Sequence, residues 1–367
     1  MADPKKMSRR QERRKQKRVQ SEQKAKSWLK GWGEAALVAL IAALVIRALI
    51  VTPYRIPTPS MEQTLLTGDF LLTSKLHYGP RSPQSVGLPV VGWHIPNLRL
   101  PSTRLPGFSS IKRNDIVVFN YPIDEGIPAH KTNYVKRLVG MPADTLRVDD
   151  KVLFVNHEEA RNFSTIQFLY SIEPRSGLRI SQNRLKDAGA VPYRHTGAFS
   201  SAERVLAFMT EDVKQEIEQW TDINSVNIIL RSSEEDFNSR SPFRFAQGLG
   251  AGNPDQMPEI VIPFRGQVIE LTPDNINLYW DIITRYEGNR LEIRNNRIFI
   301  NGLERTEYTI QQDYYFMMGD NRDDSEDSRS WGFVPDDHIV GRVWITYFSV
   351  DNWMPRFNRI FRTVHRD

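Results

Sequence analysis

One long apolar run near the start of the chain constrains the fold more than any other feature. Residues 35–51 read AALVALIAALVIRALIV and are interrupted only by Arg47. Trp28 and Trp32 stand at its entrance, where interfacial aromatic residues are common. A spanning helix needs about 17–25 such residues, and an arginine near its far end can reach the headgroups. The run predicts one transmembrane helix over residues 31–52; the alternative is a buried core helix.

The segment before this run indicates an orientation. Residues 5–30 carry twelve Lys and Arg against only Glu12 and Glu22. Few large apolar side chains are present there, so we expect residues 1–30 to form a disordered basic tail. Alone it resembles a nucleic-acid arm, but before an apolar helix it is typical of a cytoplasmic flank. Without the small residues of a cleavage site, we predict an uncleaved signal anchor with everything after residue 52 outside.

Composition limits the remaining classes. With 367 residues, 40% hydrophobic and 25% charged, the chain is long enough for more than one domain and too polar for a multi-span transporter. The sequence contains no cysteine, which excludes disulfides, a thiolate nucleophile and a cysteine-based zinc site.

The part after the apolar run is predicted to be mainly β, with an antiparallel sheet or barrel-like catalytic core. Short apolar runs and hairpin patterns occur at residues 69–73, 115–119, 133–139, 145–155 and 290–300. Residues 157–264 differ in character and are predicted to be an inserted α+β subdomain of the core, which comprises 53–156 and 265–350. Helical spacing occurs at residues 202–209, 213–220 and 273–286. Residues 351–367 form a basic C-terminal tail that could touch lipid or remain solvated.

Two further stretches have the composition of possible ligand-binding segments. The loop over residues 77–113 places apolar side chains at 88–95 and 105–108 on the expected surface. They could enter the bilayer, receive an extended substrate or simply pack as a loop. The acidic stretch over residues 319–332 fails the calcium-loop spacing. We expect a loop in which Asp320 and Asp327 pair with Arg322 and Arg329 and hold neighbouring groups rigid.

Ser60 is the candidate nucleophile, because it lies between Pro59 and Met61 just after the apolar run. No histidine in the sequence has the surroundings of a triad base, and no metal-binding histidine spacing occurs. Lys136, within an apolar strand, is the candidate base, since desolvation can lower a lysine pKa by several units. The amine could then accept the Ser60 proton, although an exposed, solvated lysine is the alternative reading.

These motifs together resemble the bacterial type I signal peptidases, membrane-bound serine proteases with a Ser/Lys dyad. The resemblance is carried, in order, by IPTPSMEQTL at residues 56–65, GDFLL at 68–72, YVKRLVGMP at 134–142 and MGDNRDDSEDSR at 318–329. It implies that Ser60 is the nucleophile and Lys136 the general base, with no metal or cofactor. Thr58, where many members have serine, would complete the oxyanion hole. Pro59 also departs from the glycine that is usual there.

The resemblance also implies the surrounding site. Ser325 would orient the lysine, and Asp327 with Arg329 would support it. Six further residues match positions that line the substrate cleft: Ile56, Pro57, Met61, Leu65, Tyr134 and Val135.

The function implied is cleavage of N-terminal signal peptides from exported preproteins, after a small residue, at the outer face of the bacterial cytoplasmic membrane. Membrane lipids and the export machinery are further expected partners, and nucleic acid is not. A self-cleaving repressor with Ser/Lys chemistry and an inactive anchored binding protein are the rival classes.

Overall fold

The structure is a computed structural model that describes residues 27–28, 30–82, 84, 87–88, 93–94, 100, 103–193, 204–231, 245, 249 and 253–364. The chain divides into two units, Met1–Val51 and Thr52–Asp367. In the first unit, helix α1 spans Lys30–Leu49 and is long and apolar enough to cross a membrane. The predicted apolar helix is therefore present. The predicted disorder of the basic tail concerns residues 1–26 and 29, which lie outside the described residues.

The second unit is mainly β. Its helices are α2 (Gln182–Asp187), α3 (Glu211–Glu218), α4 (Ile276–Asp281), continued by a π-helical turn over Ile282–Tyr286, and α5 (Ser328–Trp331). The strands are β1 (Val51–Arg55), β2 (Asp69–Ser74), β3 (Gly87–Leu88), β4 (Trp93–His94), β5 (Ile116–Asn120), β6 (Asn133–Gly140), β7 (Thr145–Asp149), β8 (Val152–Val155), β9 (Glu158–Glu159), β10 (Gln167–Pro174), β11 (Val191–Pro192), β12 (Val205–Thr210), β13 (Ile223–Ile228), β14 (Met257–Val261), β15 (Val268–Glu270), β16 (Leu291–Arg294), β17 (Arg297–Ile300), β18 (Leu303–Glu304), β19 (Glu307–Thr309), β20 (Tyr314–Met318), β21 (Val334–Pro335), β22 (Ile339–Asp351), β23 (Met354–Pro355) and β24 (Arg362–Thr363).

A curled antiparallel half-barrel sheet forms the main architecture. Its strand order is β1-β2-β22-β5-β6-β20-β21, and β23 and β24 also pair with β22. The long β22 changes register against both β2 and β5, and such irregularities bend a strand and increase its twist. The predicted mainly β fold is confirmed. All of the predicted strands and hairpins form within a few residues of their expected bounds.

The sheet packs its two faces into separate apolar clusters. One cluster places Leu138 of β6 and Val117 and Phe119 of β5 with Trp331. The other places Met61 and Leu65, just after β1, with buried residues of β2, β5 and β22. The site described below therefore stands on a strand that is buried on both faces.

Residues 167–228 build a smaller sheet of order β11-β12-β10-β13, covered by α2 and α3. Leu185 of α2 and Ile217 of α3 are fully buried against it. The Thr210 hydroxyl accepts a hydrogen bond from the Val213 N–H, which starts α3 close to where the sequence predicts a helix. The strand β14 joins the β7–β8 hairpin instead of this small sheet.

One sequence prediction in this region is wrong. Residues 202–209 were expected to be helical, but the described part forms β12. This strand pairs antiparallel with β10 on one side and β11 on the other, so its backbone groups are satisfied by neighbouring strands. A short run of consecutive apolar residues fits a buried strand as well as a helix, and the available neighbours decide which one forms.

The predicted roles of the 77–113 loop are only partly within the described residues. Most of the apolar stretch at 88–95 lies outside them. Within the described part, Leu105 and Phe108 are exposed, and the Phe108 ring packs against His77.

Candidate active site

Ser60 is presented on a tight turn that follows β1. The Ile56 N–H donates to the Asp69 carbonyl over 2.9 Å, and the Gly68 N–H donates back to Ile56 over 2.9 Å, which closes the loop. Inside it, the Leu65 N–H donates to the Met61 carbonyl over 2.7 Å. Met61 and Leu65 are one helical turn apart and fully buried, so they anchor the turn to the core.

Lys136 approaches Ser60 from β6, a strand of the same sheet as β1. It lies on β6, between β5 and β20, opposite Val117 of β5. Its Nζ donates to the Ser60 Oγ over 2.5 Å. The side chain is only 2% exposed, so the pair is largely shielded from water.

Burial governs the protonation of this lysine. Desolvation lowers the pKa of Lys136 from its ordinary 10.5 to about 8, while the carboxylates of Asp327 and Glu326 oppose the shift. At pH 7 about a tenth of such amines is neutral, against about one in a few thousand for an ordinary lysine. The arrangement can therefore supply a base at neutral pH.

Arg137, the next residue along β6, points to the opposite face and pairs with Asp320. Its Nε and Nη2 donate to the two Asp320 oxygens over 2.8 and 2.7 Å. Burial would raise the pKa of Asp320, but the Arg137 charge outweighs it and keeps the pKa below its ordinary value. The Thr64 hydroxyl also donates to this carboxylate over 2.5 Å. The pair therefore ties β6 to the turn that carries Ser60.

The polar loop, residues 319–327, is organised around Asp327. This carboxylate accepts hydrogen bonds from the Gly319 N–H and the Ser325 hydroxyl, each over 2.9 Å. Arg329 donates to it from Nε over 2.9 Å and from Nη2 over 2.8 Å. Burial alone would raise the pKa of Asp327, yet the Arg329 charge and hydrogen bonds leave it below its ordinary value.

The polar loop also contacts the backbone of Ser60, the candidate nucleophile. The Asn321 N–H donates to the Ser60 carbonyl over 3.1 Å, and its side-chain Nδ2 donates to the Pro59 carbonyl over 3.3 Å. The position of Ser60 thus depends on the polar loop as well as on its own turn.

Three aromatic rings form a wall beside the Ser60–Lys136 pair. Tyr134 stacks on Tyr121 with ring centroids 4.6 Å apart, and Trp331 packs edge-on against both. The Lys136 Nζ lies 5.7 Å from the centre of the Tyr134 ring. The Tyr121 hydroxyl donates to the Glu326 carboxylate over 3.0 Å, which fixes one edge of this wall.

The other predicted site residues occupy different environments. Pro57 and Thr58 are exposed beside Ser60, whereas Val135 is half-buried on β6. Within the described part of the chain, neither the Ser60 N–H nor the Thr58 hydroxyl has a hydrogen-bond partner. Ile56, Met61 and Leu65 are buried beneath the site in the sheet core. Ser325 reaches Asp327 rather than making a hydrogen bond to the lysine.

The sequence reasoning missed Arg137 and Asn321. Arg137 directly follows Lys136, and strand alternation alone would have placed its charge on the face opposite Lys136. The sequence grouped Asp320 with Arg322 and Arg329, while the structure gives its ion pair to Arg137. No group of His, Cys, Asp and Glu with metal-binding geometry occurs among the described residues.

The family model and the sequence relatives agree on one family. The model of the family described as "Signal peptidase, peptidase S26" matches residues 29–197 and 287–348. A signal peptidase I of Buchnera aphidicola from Acyrthosiphon pisum is 27% identical over 87% of this chain and 77% of that protein. A signal peptidase I of Pseudomonas aeruginosa is 25% identical over 89% of this chain and 77% of that protein. A solved signal peptidase I of Enterococcus faecalis shares 14% identity over 64% of this chain and 97% of that chain, with a TM-score of 0.21.

The class of protein is therefore a serine endopeptidase with a mainly β catalytic unit. The family model matches more than half of the sequence, so the chain belongs to the signal peptidase, peptidase S26 family.

Proposed function

We propose that this chain is a membrane-anchored endopeptidase that cleaves signal peptides from exported preproteins with a Ser60/Lys136 dyad. The observation that carries the proposal is the 2.5 Å contact between the Lys136 Nζ and the Ser60 Oγ in a buried site. The family membership supports the substrate class, since relatives matching most of the chain are signal peptidases.

The proposed mechanism is acyl transfer. Neutral Lys136 takes the Ser60 proton, and the Ser60 Oγ attacks the carbonyl carbon of the scissile peptide bond. The Ser60 N–H and the Thr58 hydroxyl donate to the resulting oxyanion. Lys136 then gives its proton to the leaving amine. In the second half, it deprotonates a water that hydrolyses the ester and returns the proton to Ser60.

Ser325 and Asp327 of the polar loop and Arg329 of α5 support this chemistry. The buried Arg329 keeps Asp327 ionised, and Asp327 in turn accepts from Ser325 and from the Gly319 N–H. The substrate would lie extended along strand edges next to Pro57, Tyr134 and Val135, a mode in which backbone hydrogen bonds hold the peptide. Small side chains just before the cut would suit shallow pockets there.

Cleavage of a purified preprotein tests the catalytic assignment. We expect the full chain in detergent to release the mature protein, and Ser60→Ala and Lys136→Ala to abolish cleavage. The kcat/KM of the native enzyme should rise with pH through about 8, because the amine must lose its proton. Full activity in either variant, or an optimum well below neutrality, would contradict the dyad.

The same experiment separates the rival classes. An inactive anchored relative would show no cleavage of any preprotein, although its fold would be the same. A self-cleaving repressor would process itself rather than a second chain, and a catalytic amount of enzyme would not consume excess preprotein.

The membrane topology belongs to the proposal as well. Helix α1 and the basic segment before it support a single span with the N-terminus in the cytoplasm and the catalytic unit on the outer face of the bacterial inner membrane. Added protease should degrade residues after 52 in spheroplasts but only residues before 30 in inverted vesicles. The reverse pattern would overturn the orientation.

Lipid contact and the export machinery are the remaining proposed partners. The β22–β23 turn exposes 97% of Trp353, and Met354, Phe357 and Phe361 nearby are also exposed. Arg356 and Arg362 lie among them, a composition suited to an anionic interface. Binding of residues 52–367 to phosphatidylglycerol vesicles tests the lipid contact, and we expect Trp353→Ser to weaken this binding. Crosslinking in cells tests the contact with the export machinery.

A further inference from the structure

Asp323 lies in the polar loop but takes no part in the proposed reaction. Its side chain is 3% exposed, and its two oxygens accept from different parts of the chain. Oδ2 accepts from the Leu169 N–H of β10 over 2.8 Å. Oδ1 accepts from the Lys151 ammonium at the turn of the β7–β8 hairpin. A buried carboxylate that is held from two sides fixes the loop far more firmly than an exposed one would.

Lys151 has a second buried partner. Its Nζ lies 3.3 Å from the Asp255 Oδ2, and that side chain is 1% exposed. The Asp255 Oδ2 also accepts from the Arg231 N–H over 2.9 Å, and the Arg231 Nη2 donates to the Asp323 carbonyl over 3.3 Å. Lys151 is thus shared between one acid in the polar loop and one acid outside it.

The start of β10 continues this contact along the polar loop. The Gln167 N–H donates to the Asp320 carbonyl over 2.9 Å, and the Arg322 N–H donates to the Gln167 carbonyl over 2.9 Å. These two bonds form a parallel bridge that brackets Asn321. Asn321 is the residue that holds the Ser60 and Pro59 carbonyls. A continuous series of short contacts therefore links the small sheet to the nucleophile.

We propose that Asp323 is a positioning residue for the peptidase reaction, through which Lys151 and the small sheet keep the polar loop aligned with Ser60. The role of the small sheet would then be to brace the polar loop. This inference rests on the proposed function, because the effect of Asp323 is exerted on the Ser60/Lys136 dyad.

Two isosteric substitutions, one at each carboxylate partner of Lys151, form a matched pair. Asp323→Asn weakens the bond inside the polar loop but leaves Lys151 paired with Asp255. Asp255→Asn removes the same charge from the same cluster but leaves the loop contact intact. Both should lower the melting temperature to a similar degree. We expect Asp323→Asn to lower kcat about tenfold or more with KM nearly unchanged, and Asp255→Asn to change kcat less than threefold.

The pH profile is the second readout. A loosened polar loop admits water to Lys136, which weakens the desolvation that holds its pKa down. The acid limb of the kcat/KM profile should therefore move to higher pH in Asp323→Asn and stay in place in Asp255→Asn. Leu185→Ala, a truncation in the core of the small sheet, should lower the melting temperature without moving the profile.

Several outcomes would overturn the inference. Equal losses of kcat in the two Asn variants, or an unshifted pH profile in Asp323→Asn, would show that the cluster only stabilises the fold and does not position the polar loop. If Asp323→Asn does not fold, the neutral Lys151→Met/Asp255→Asn/Asp323→Asn variant replaces it, since no buried charge is left unpaired. Its native-like kcat would contradict the inference. An inactive native chain, or an active Ser60→Ala, would instead contradict the proposed function.

Discussion

At the scale of single residues, the proposed dyad would lower the stability of the fold in return for a base that is neutral near physiological pH. When the pKa of a lysine is lower in the folded chain than in the unfolded chain, the unfolded chain binds the proton more tightly. Protonation of that lysine then destabilises the fold. The resulting cost is absent above about pH 10.5, grows as the pH falls toward about 8, and is complete at neutral pH. The magnitude is about 3 kcal/mol at pH 7, since each tenfold change in proton affinity is worth ~1.4 kcal/mol.

Lys136→Met should therefore stabilise the protein at pH 7. We expect urea denaturation to show a gain of roughly 1–3 kcal/mol after subtraction of the hydrogen bond lost to Ser60. The gain should vanish near pH 10.5. Ser60→Ala is the control, because it removes the same hydrogen bond and keeps the buried amine, and it should give no gain. A destabilised Lys136→Met at both pH values would refute this account.

Thr58 gives a second prediction at this scale. If its hydroxyl donates to the oxyanion, Thr58→Val should lower kcat by about 100-fold or more, because one such donor is worth ~3 kcal/mol. Thr58→Ser keeps the donor and should retain most of the activity. Steady-state kinetics on a signal-peptide substrate measure both. Equal activity in the two variants would remove Thr58 from the mechanism.

At the scale of elements, the first position of the polar loop, directly after β20, has no room for a side chain. A Cβ at Gly319 would lie 2.2 Å from the Ser325 Oγ and 2.5 Å from the Ser60 carbonyl oxygen. Gly319→Ala should thus displace the polar loop and reduce kcat at least 100-fold, as measured by preprotein cleavage. Gly177→Ala is the control: its φ of +79° costs stability, but open space surrounds it. Comparable kcat losses in both would point to general destabilisation.

The tip of the β5–β6 hairpin is fastened by a buried histidine. The His338 Nε2 accepts from the Lys131 ammonium over 2.9 Å, and its Nδ1 donates to Asp337 over 2.7 Å. Desolvation lowers the pKa of His338 below its ordinary 6.5, despite the opposing Asp337. Because protons then favour the unfolded chain, the stability from this group is lost as the pH falls below about 6.5.

His338→Gln should flatten that pH dependence, because the amide oxygen can still accept from Lys131 but does not titrate. Urea denaturation at pH 7.5 and 5.0 provides the comparison, with a smaller difference expected in the variant. His157→Gln, at a side chain that is 73% exposed, serves as the control and should leave the slope unchanged. An unaltered slope in His338→Gln would show that other groups cause it.

At the scale of the whole molecule, the division at residue 52 predicts that the catalytic unit is self-sufficient. A chain of residues 52–367 should keep the melting temperature of the full chain's catalytic unit and cleave a short signal-peptide substrate at a similar kcat. Cleavage of a preprotein embedded in vesicles should fall, because α1 no longer holds the enzyme at the surface. Loss of folding in residues 52–367 would contradict this independence.

The sequence predicted local patterns better than long-range partners. Alternation and turn residues were enough to place β6 and the β7–β8 hairpin, because those signals are local. The sequence could not decide whether Lys136 was buried, since its cover comes from β5, β20 and the polar loop. For the same reason Asp320 was grouped with nearby arginines rather than with Arg137, which is 183 positions away along the chain. The helix predicted over residues 205–209 is wrong because pairing with β10 and β11, and not the local spacing of apolar residues, determines that a strand forms there.

The closeness of Lys136 to position 60 also offers a chemical handle. The sequence has no cysteine, so Ser60→Cys would give the molecule its sole thiol. Next to the Lys136 ammonium, that thiol would ionise more readily than a free one and form a thiolate–ammonium pair. Its rate of alkylation by iodoacetamide as the pH changes would then report the shared proton directly, and a dye attached there would mark the cleft at a single point.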